Sequence, residues 1–203
     1  MRLRLLIMSI LAALTLIGCG PEEQPDGPAK EYAPYKTGDL IQLKSIHGTS
    51  KTLKRTEKGF VLVGEEDKVL MIDAFGTFCQ PCKEEANHLM EFQLKNNEKL
   101  VLIGLTHLEN VSDQHVLDQF ASQYNAYYFM VNDVEQNNRL IAALLRDIAY
   151  RPVIQLPFKF VLKNGEYQTL TDVWEGTAGV KYYLGKVDIA VMQKDLDRIT
   201  GVK

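Results

Sequence analysis

The sequence predicts an α/β fold: a central mixed sheet with helices on both faces and an N-terminal β extension. Three observations carry this expectation. Val69 to Phe75 and Leu100 to Leu105 are almost wholly apolar runs, the pattern of parallel strands buried on both faces. From Val69 to Ile148 such runs alternate with helical periodicity, and alternation of strand and helix makes parallel neighbours. Near the C-terminus Phe158 to Leu162, the turn Lys163-Asn164-Gly165-Glu166 and Tyr167 to Trp174 read as a hairpin, which adds an antiparallel pair.

Taken in order, Ile41 to Ile46 alternates apolar and polar residues, as a half-buried strand does. The turn His47-Gly48-Thr49-Ser50 and a return over Thr52 to Arg55 follow. Lys58-Gly59 turns the chain into Phe60 to Val63, and Gly64 to Lys68 turns it again into Val69 to Phe75. A helix then starts near Cys79. Its apolar face is Cys82, Ala86, Leu89 and Met90, and it ends near Asn96-Asn97. Leu100 to Leu105 is the second buried strand. Ser112 is placed to cap a helix carrying Val116, Leu117, Phe120, Ala121 and Tyr124. Tyr127 to Val131 is a third strand, and Leu140, Ile141, Leu144, Leu145 and Ile148 mark the next helix. Arg151 to Pro157 is a proline-containing loop and Gly176 to Gly179 another. Ile189, Met192, Leu196 and Ile199 mark a closing helix.

The first residues read as an address. Arg2 and Arg4 precede a predominantly apolar region of thirteen residues, Leu5 to Ile17, short of the about 20 that a stable membrane span requires. Leu16-Ile17-Gly18-Cys19 resembles the lipobox of bacterial lipoproteins, in which cleavage precedes a cysteine that becomes lipidated. The expected organisation is a leader over 1–18, lipidated Cys19 with a proline-rich tether over 19–38, and one folded domain over 39–203. The chain would then sit in the bacterial cell envelope, anchored to the bilayer through Cys19, with its domain facing the periplasm or extracytoplasmic space. The 203 residues carry a net charge of −3, made more negative by loss of Arg2 and Arg4, which gives no reason to expect nucleic acid as a partner.

With Cys19 assigned to lipid, two of the three cysteines remain, Cys79 and Cys82. A bridge between them closes so short a loop that it constrains the unfolded chain little, which points to a bond made and broken in use. Unpaired N–H groups and the dipole at a helix N-terminus favour a thiolate there. Cys79, at the mouth of the helix, is the expected exposed nucleophile. Cys82, almost a turn deeper, is the expected buried resolving thiol. Pro81 suits a first turn, where its missing N–H is not needed. A zinc site requires about four ligands, and His47, His88, His107 and His115 show no ligand spacing. Haem attachment requires a histidine directly after the second cysteine, where Lys83 stands. No metal and no cofactor is expected.

The segment Asp73-Ala-Phe-Gly-Thr-Phe-Cys-Gln-Pro-Cys-Lys-Glu-Glu resembles the active-site segment of thioredoxin-like proteins, and within them the membrane-tethered, extracytoplasmic TlpA and ResA type. The resemblance implies a cis-proline facing the dithiol, for which Leu156-Pro157 fits, with Leu156, Phe78, Gln80 and Pro81 touching substrate. It also implies that Asp73 is a buried acid relaying protons for Cys82, and that Glu85 tunes the cysteines. Lys83 is a candidate to stabilise the Cys79 thiolate. Two departures stand out: Phe78 replaces the usual tryptophan, and Arg151 to Gln155 does not match the usual approach to the cis-proline.

The function this implies is thiol–disulfide exchange, with the chain reducing protein disulfides, those of apocytochrome c among them, and drawing electrons from a membrane donor of thiol-reductase type. Gln-Pro between the cysteines resembles the reducing members, whose potentials lie nearer about −270 mV than −120 mV. An isomerase or oxidase of secreted proteins is the alternative. A copper-binding chaperone is disfavoured because no histidine follows His115, and a peroxidase because the Pro-x-x-x-Thr-x-x-Cys pattern is absent.

Overall fold

The structure is a computed structural model that describes residues 32–201. The expected leader, Cys19 and residues 19–31 of the expected tether lie outside the described residues. The last part of that tether is not free of the domain. Tyr35 packs edge-on against Phe60 with ring centroids 5.9 Å apart, Arg139 stacks 4.2 Å over the Tyr35 ring, and Ala33 and Tyr32 carbonyls accept from Arg139 and Arg146. The compact unit therefore begins at Tyr32, ahead of the expected boundary at Asp39.

A three-stranded antiparallel sheet comes first: β1 (Leu40–Lys44), β2 (Ser50–Arg55) and β3 (Phe60–Leu62). Its inward residues Ile41, Leu43, Leu53, Phe60 and Leu62 join one core cluster. The main sheet has six strands among the described residues. β4 (Val69–Phe75) lies at its centre, parallel to β5 (Leu100–Thr106), which is parallel to β6 (Phe129–Val131). On the other side β7 (Phe158–Lys163) runs antiparallel to β4, and β8 (Glu166–Tyr167) and β11 (Tyr182–Leu184) both pair with β7.

Helices cover both faces. α1 (Gln80–Lys95) and α4 (Ile189–Thr200) pack on the side reached by Val69, Met71 and Phe75. α3 (Val134–Asp147) packs with the small sheet on the side reached by Leu70, Ile72 and Ala74. Successive strand residues point to opposite faces, so a strand buried on both must be apolar at nearly every position. Every residue of β4 and of β5 is buried, as the two apolar runs require. The polar exceptions in these buried strands therefore need partners.

Three details differ from the sequence expectation. Tyr167 to Trp174 does not return as one strand. Only its start pairs with β7; β9 (Leu170–Thr171) turns away and pairs with β10 (Ala178–Val180), which overlaps the end of the expected 176–179 loop. The edge beside β7 is instead filled by β11 from further along the chain. Asp195 explains the diversion: its carboxylate accepts from the Thr171 N–H, the Thr171 hydroxyl and the Tyr183 hydroxyl, tying β9 and β11 to α4. The helix capped by Ser112 is also not uniform. α2 (Asp113–Val116) gives way to a π-helical segment, Leu117–Ala121. Finally, Gln93, which interrupts the apolar stripe of α1, bonds to the Leu100 carbonyl and the Leu102 N–H and so fixes the helix to β5.

Candidate functional site

β4 delivers the chain to the C-terminal end of the central strands. It leaves the sheet at Phe75, turns through Gly76 to Phe78, and enters α1 at Cys79. The Cys79 N–H donates to the Gly76 carbonyl at 3.1 Å. Gly76 has room for Phe78 only because it lacks a side chain: a Cβ there would meet the Phe78 ring at 2.6 Å. Thr77, buried, is clamped by Glu109, which accepts from its N–H at 2.8 Å and its hydroxyl at 2.6 Å; His115 Nε2 lies 3.2 Å from the same hydroxyl. Glu109 follows Leu108, whose φ of +62° is uncommon for a residue with a Cβ. Sequence reading missed Thr77, Glu109 and His115. They are 32 and 38 residues apart along the chain and meet only because β5 lies beside β4.

Cys79 is the N-cap of α1, and Cys79 and Cys82 are disulfide-bonded. Cys79 Sγ also accepts from the Cys82 N–H at 3.3 Å, so the sulfur sits among the unpaired donors of the first turn. Cys79, expected to be exposed, is only 7% exposed, and Cys82, expected to be buried, is 3% exposed. The exposed neighbour is Phe78, at 58%. Gln80 and Pro81 are exposed on the first turn, with Gln80 reaching Glu84. Glu84 in turn pairs with Lys186. Lys83 lies over the Tyr124 ring at 5.9 Å.

The Leu156–Pro157 bond is cis. Phe158, directly after it, is in register with Ala74, so Pro157 lies at the same end of the sheet as the turn that carries the cysteines. Pro157 is buried and its carbonyl accepts from the Gly185 N–H at 2.9 Å, while Leu156 is half-buried. Ahead of them the loop Arg151 to Val153 is exposed, with Val153 at 85%.

Behind the disulfide is a buried cluster of charge. Asp73, which shares its face of β4 with Met71 and Phe75, is 1% exposed. Glu85, one turn after Cys82 on the inward face of α1, is also 1% exposed. Between them stands Lys159 of β7, fully buried and in direct register with Asp73. Its ammonium is 2.5 Å from Glu85 Oε2, 3.8 Å from Asp73 Oδ1 and 3.4 Å from the Gly185 carbonyl. Glu85 Oε1 accepts from the Val187 N–H at 2.9 Å. Asp73 Oδ1 makes no hydrogen bond, and neither do Glu85 Oε2 and the buried Tyr128 hydroxyl.

Desolvation dominates the electrostatics of this cluster. Burial pushes the Asp73 carboxyl up from 3.8 to about 7; the Lys159 charge opposes the shift and the Glu85 charge adds to it. Burial, with the Asp73 and Glu85 charges, holds the Tyr128 hydroxyl well above its ordinary value. Asp73 is thus a carboxyl that can gain or lose a proton near neutrality.

The structure buries both Asp73 and Glu85, and one lysine stands between them. A signal for it existed. Lys159 is the one charge inside Phe158 to Leu162, an otherwise apolar run expected to be a strand, and an unpaired ammonium is costly wherever such a strand is buried. Among the described residues no three His, Cys, Asp or Glu side chains gather where they could hold a metal ion.

No family model matches the chain, and no curated protein does. Solved structures match throughout the fold. A thioredoxin-family thiol:disulfide interchange protein from Chlorobium tepidum is 14% identical, with a TM-score of 0.56, over 86% of this chain and 100% of that one. A DsbF homologue from Corynebacterium diphtheriae is 18% identical, with a TM-score of 0.52, over 87% and 96%. StoA from Bacillus subtilis is 14% identical, with a TM-score of 0.50, over 78% and 96%. The chain therefore has the thioredoxin-like fold.

Proposed function

We propose that this chain is an extracytoplasmic thiol–disulfide oxidoreductase that reduces protein disulfides through Cys79 and Cys82. The observation that carries the reading is a disulfide at the N-cap of α1, set at the same end of the sheet as a cis-proline. The neighbours' names, thiol:disulfide interchange protein and DsbF homologue, support it.

In the reduced chain the Cys79 thiolate attacks a client disulfide. One Cys79–client S–S bond forms, the client bond breaks, and one client sulfur leaves as thiolate. Cys82 then loses its proton and attacks Cys79, and the second client sulfur leaves. Two electrons have passed to the client, whose two thiolates take protons from solvent, and the chain carries the Cys79–Cys82 disulfide. Phe78 and the Leu156–Pro157 segment receive the client chain, with exposed Phe78 supplying apolar contact and Leu156 backbone pairing. Asp73 takes the proton of Cys82, since a base is most effective when its pKa is near the working pH. Glu85 tunes the pair from the next turn of α1.

The leader 1–18 and lipidated Cys19 would hold the domain on the outer side of a bacterial membrane, where a thiol-reductase-type donor restores the dithiol. Apocytochrome c, whose cysteines must be reduced before haem attachment, is the leading client. The test is a Cys82→Ser chain in its native envelope. It should accumulate clients joined to Cys79, which mass spectrometry identifies, and Cys79→Ser should accumulate none. If Cys82→Ser traps nothing, the exchange reading fails.

A further inference from the structure

The turn that delivers Cys79 is held by residues that lie outside it. Gly76 to Cys79 is closed by the Cys79 N–H on the Gly76 carbonyl at 3.1 Å, which gives the Thr77 N–H no acceptor within the turn. Glu109 takes that N–H at 2.8 Å with Oε1 and the Thr77 hydroxyl at 2.6 Å with Oε2, so one carboxylate spans the residue. His115 Nε2 lies 3.2 Å from the same hydroxyl. A hydroxyl has one proton to give and lone pairs to receive others, and an ionised carboxylate only accepts. The Thr77 proton therefore goes to Glu109, and the contact with His115 is made by an Nε2–H donor. We propose that Glu109 and His115 are positioning residues for Cys79. With the Thr77 hydroxyl between them they form a directed relay, His115 to Thr77 to Glu109, that sets the turn from which the sulfur attacks.

The fold brings the two residues to the turn from successive elements. β4 and β5 stay paired to their ends, with Thr106 in register with Phe75 and the His107 N–H on the Phe75 carbonyl at 2.8 Å. The two chains therefore leave the sheet side by side, one toward Thr77 and the other toward Glu109. Leu108, just before Glu109, adopts a φ of +62°, a conformation that costs a residue with a Cβ and persists where its surroundings enforce it. His115 comes from α2. Ser112 caps that helix by accepting from the His115 N–H at 3.1 Å, and the Asn132 side chain donates to the Val111 carbonyl at 2.9 Å and to Asp113 at 3.0 Å. These bonds tie the start of α2 to the chain just after β6. Beyond it the Phe120 ring packs on Phe75, with centroids 4.6 Å apart. His115 and Phe120 are five positions apart, and on a uniform α-helix such residues point about 140° away from each other. The π-helical turn over Leu117–Ala121 is wider, narrows that angle, and lets one helix touch both Thr77 and Phe75. Tyr124, further along, meets Lys83 of α1. The helix thus contacts the chain before the turn, within it and after it.

The order of the groups excludes a nucleophilic role for Thr77. Where a hydroxyl is activated, the imidazole stands between hydroxyl and acid and removes the proton. Here the hydroxyl stands between the other two, gives its proton to the carboxylate, and belongs to a residue only 5% exposed. What the relay fixes is geometry. It holds the Thr77 backbone, and with it the direction of exposed Phe78 and the place of Cys79 at the N-cap, where the sulfur accepts from the Cys82 N–H.

The inference rests on the exchange reading above, and two measurements on the full chain separate them. The first is the tautomer of His115, read from its ring nitrogen shifts at about pH 8, above the ordinary imidazole value of about 6.5. The unaltered protein should carry the proton on Nε2. Glu109→Gln keeps the size of the side chain. Its carbonyl holds the Thr77 N–H, its amide donates to the Thr77 hydroxyl, and the hydroxyl proton turns to His115, so the imidazole proton should move to Nδ1. The second is the rate at which the reduced chain attacks oxidised glutathione. His115→Ala removes the donor and should slow attack about tenfold, because rate falls steeply when an attacking atom is misplaced. His115→Gln, whose amide N–H reaches the same hydroxyl, should return the rate to within about threefold of the unaltered protein. His115 is exposed and Gln has the shape of Glu, so these variants leave the core intact. A proton on Nδ1 in the unaltered protein, a tautomer indifferent to Glu109→Gln, or a His115→Ala chain attacking at the unaltered rate would overturn the inference. Failure of the unaltered reduced chain to attack any disulfide would instead overturn the exchange reading, and the tautomer would still decide whether the relay exists.

Discussion

Replacing Asp73 with Asn tests the electrostatics of the site without changing its shape. Asp73 is 1% exposed and its carboxyl is raised from 3.8 to about 7 by burial, with Lys159 opposing and Glu85 adding to the shift. A group whose folded value is raised binds its proton more tightly in the folded state. Its contribution to stability is therefore full below about pH 4 and is lost as pH rises through about pH 7. The displacement corresponds to a penalty of about 4 kcal/mol on the ionised form. Asn has nearly the same size and cannot ionise, so its burial cost does not vary with pH in this range. Urea denaturation of the oxidised protein, parent and Asp73→Asn, between about pH 4 and about pH 8 gives the difference directly. The parent should lose up to about 4 kcal/mol relative to the variant over that interval. The oxidised form is the right one to melt, because no thiol then titrates. A gap that stays constant with pH, or one that widens toward acid, would refute the reasoning. The same variant should slow client reduction most where Asp73 is normally ionised.

Two further predictions follow from packing around the site. Gly104→Ala would bring a Cβ to 2.8 Å from the Tyr128 ring, 3.0 Å from the Phe75 ring and 3.1 Å from Met130, all buried side chains, so overpacking should cost about 1–3 kcal/mol in thermal or urea denaturation. A neutral result would mean that these side chains can give way. Glu109→Ala removes both acceptors from Thr77 and leaves a buried N–H unpaired, at a cost of about 1–3 kcal/mol. Hydrogen exchange should locate the loss at the Thr77 and Phe78 amides, and unchanged exchange there would show that the turn holds itself.

Much of the fold can be read along the chain, because the relevant physics is local. Apolar runs without alternation can only be strands covered on both faces, and β4 and β5 are such strands. Caps are equally local: Ser112 accepts from the His115 N–H three residues on, as its type and place suggest. The C-terminal hairpin was legible only in its turn. Where Thr171 and Tyr183 go depends on Asp195, and nothing in the spacing of Tyr167 to Trp174 encodes that partner.

The site divides along the same line. By itself the sequence determined the reactive pair and its position at a helix mouth, because a Cys-x-x-Cys followed by helical periodicity is a statement about neighbours. It marked Leu156-Pro157 and Asp73 through resemblance, and it showed Glu85 to be three residues past Cys82. Only the tertiary structure decided that Asp73 and Glu85 share one lysine and that Glu109 clamps the turn before Cys79. It also decided that Cys79, and not Cys82 alone, is largely enclosed. Those facts depend on which residues the strand register sets opposite each other. Asp73 meets Lys159 because β7 runs antiparallel beside β4 in one register, and a slip of one residue would turn the ammonium to the other face. Register is fixed by the whole core at once, so the cation set between Asp73 and Glu85 is placed by packing far from either in sequence.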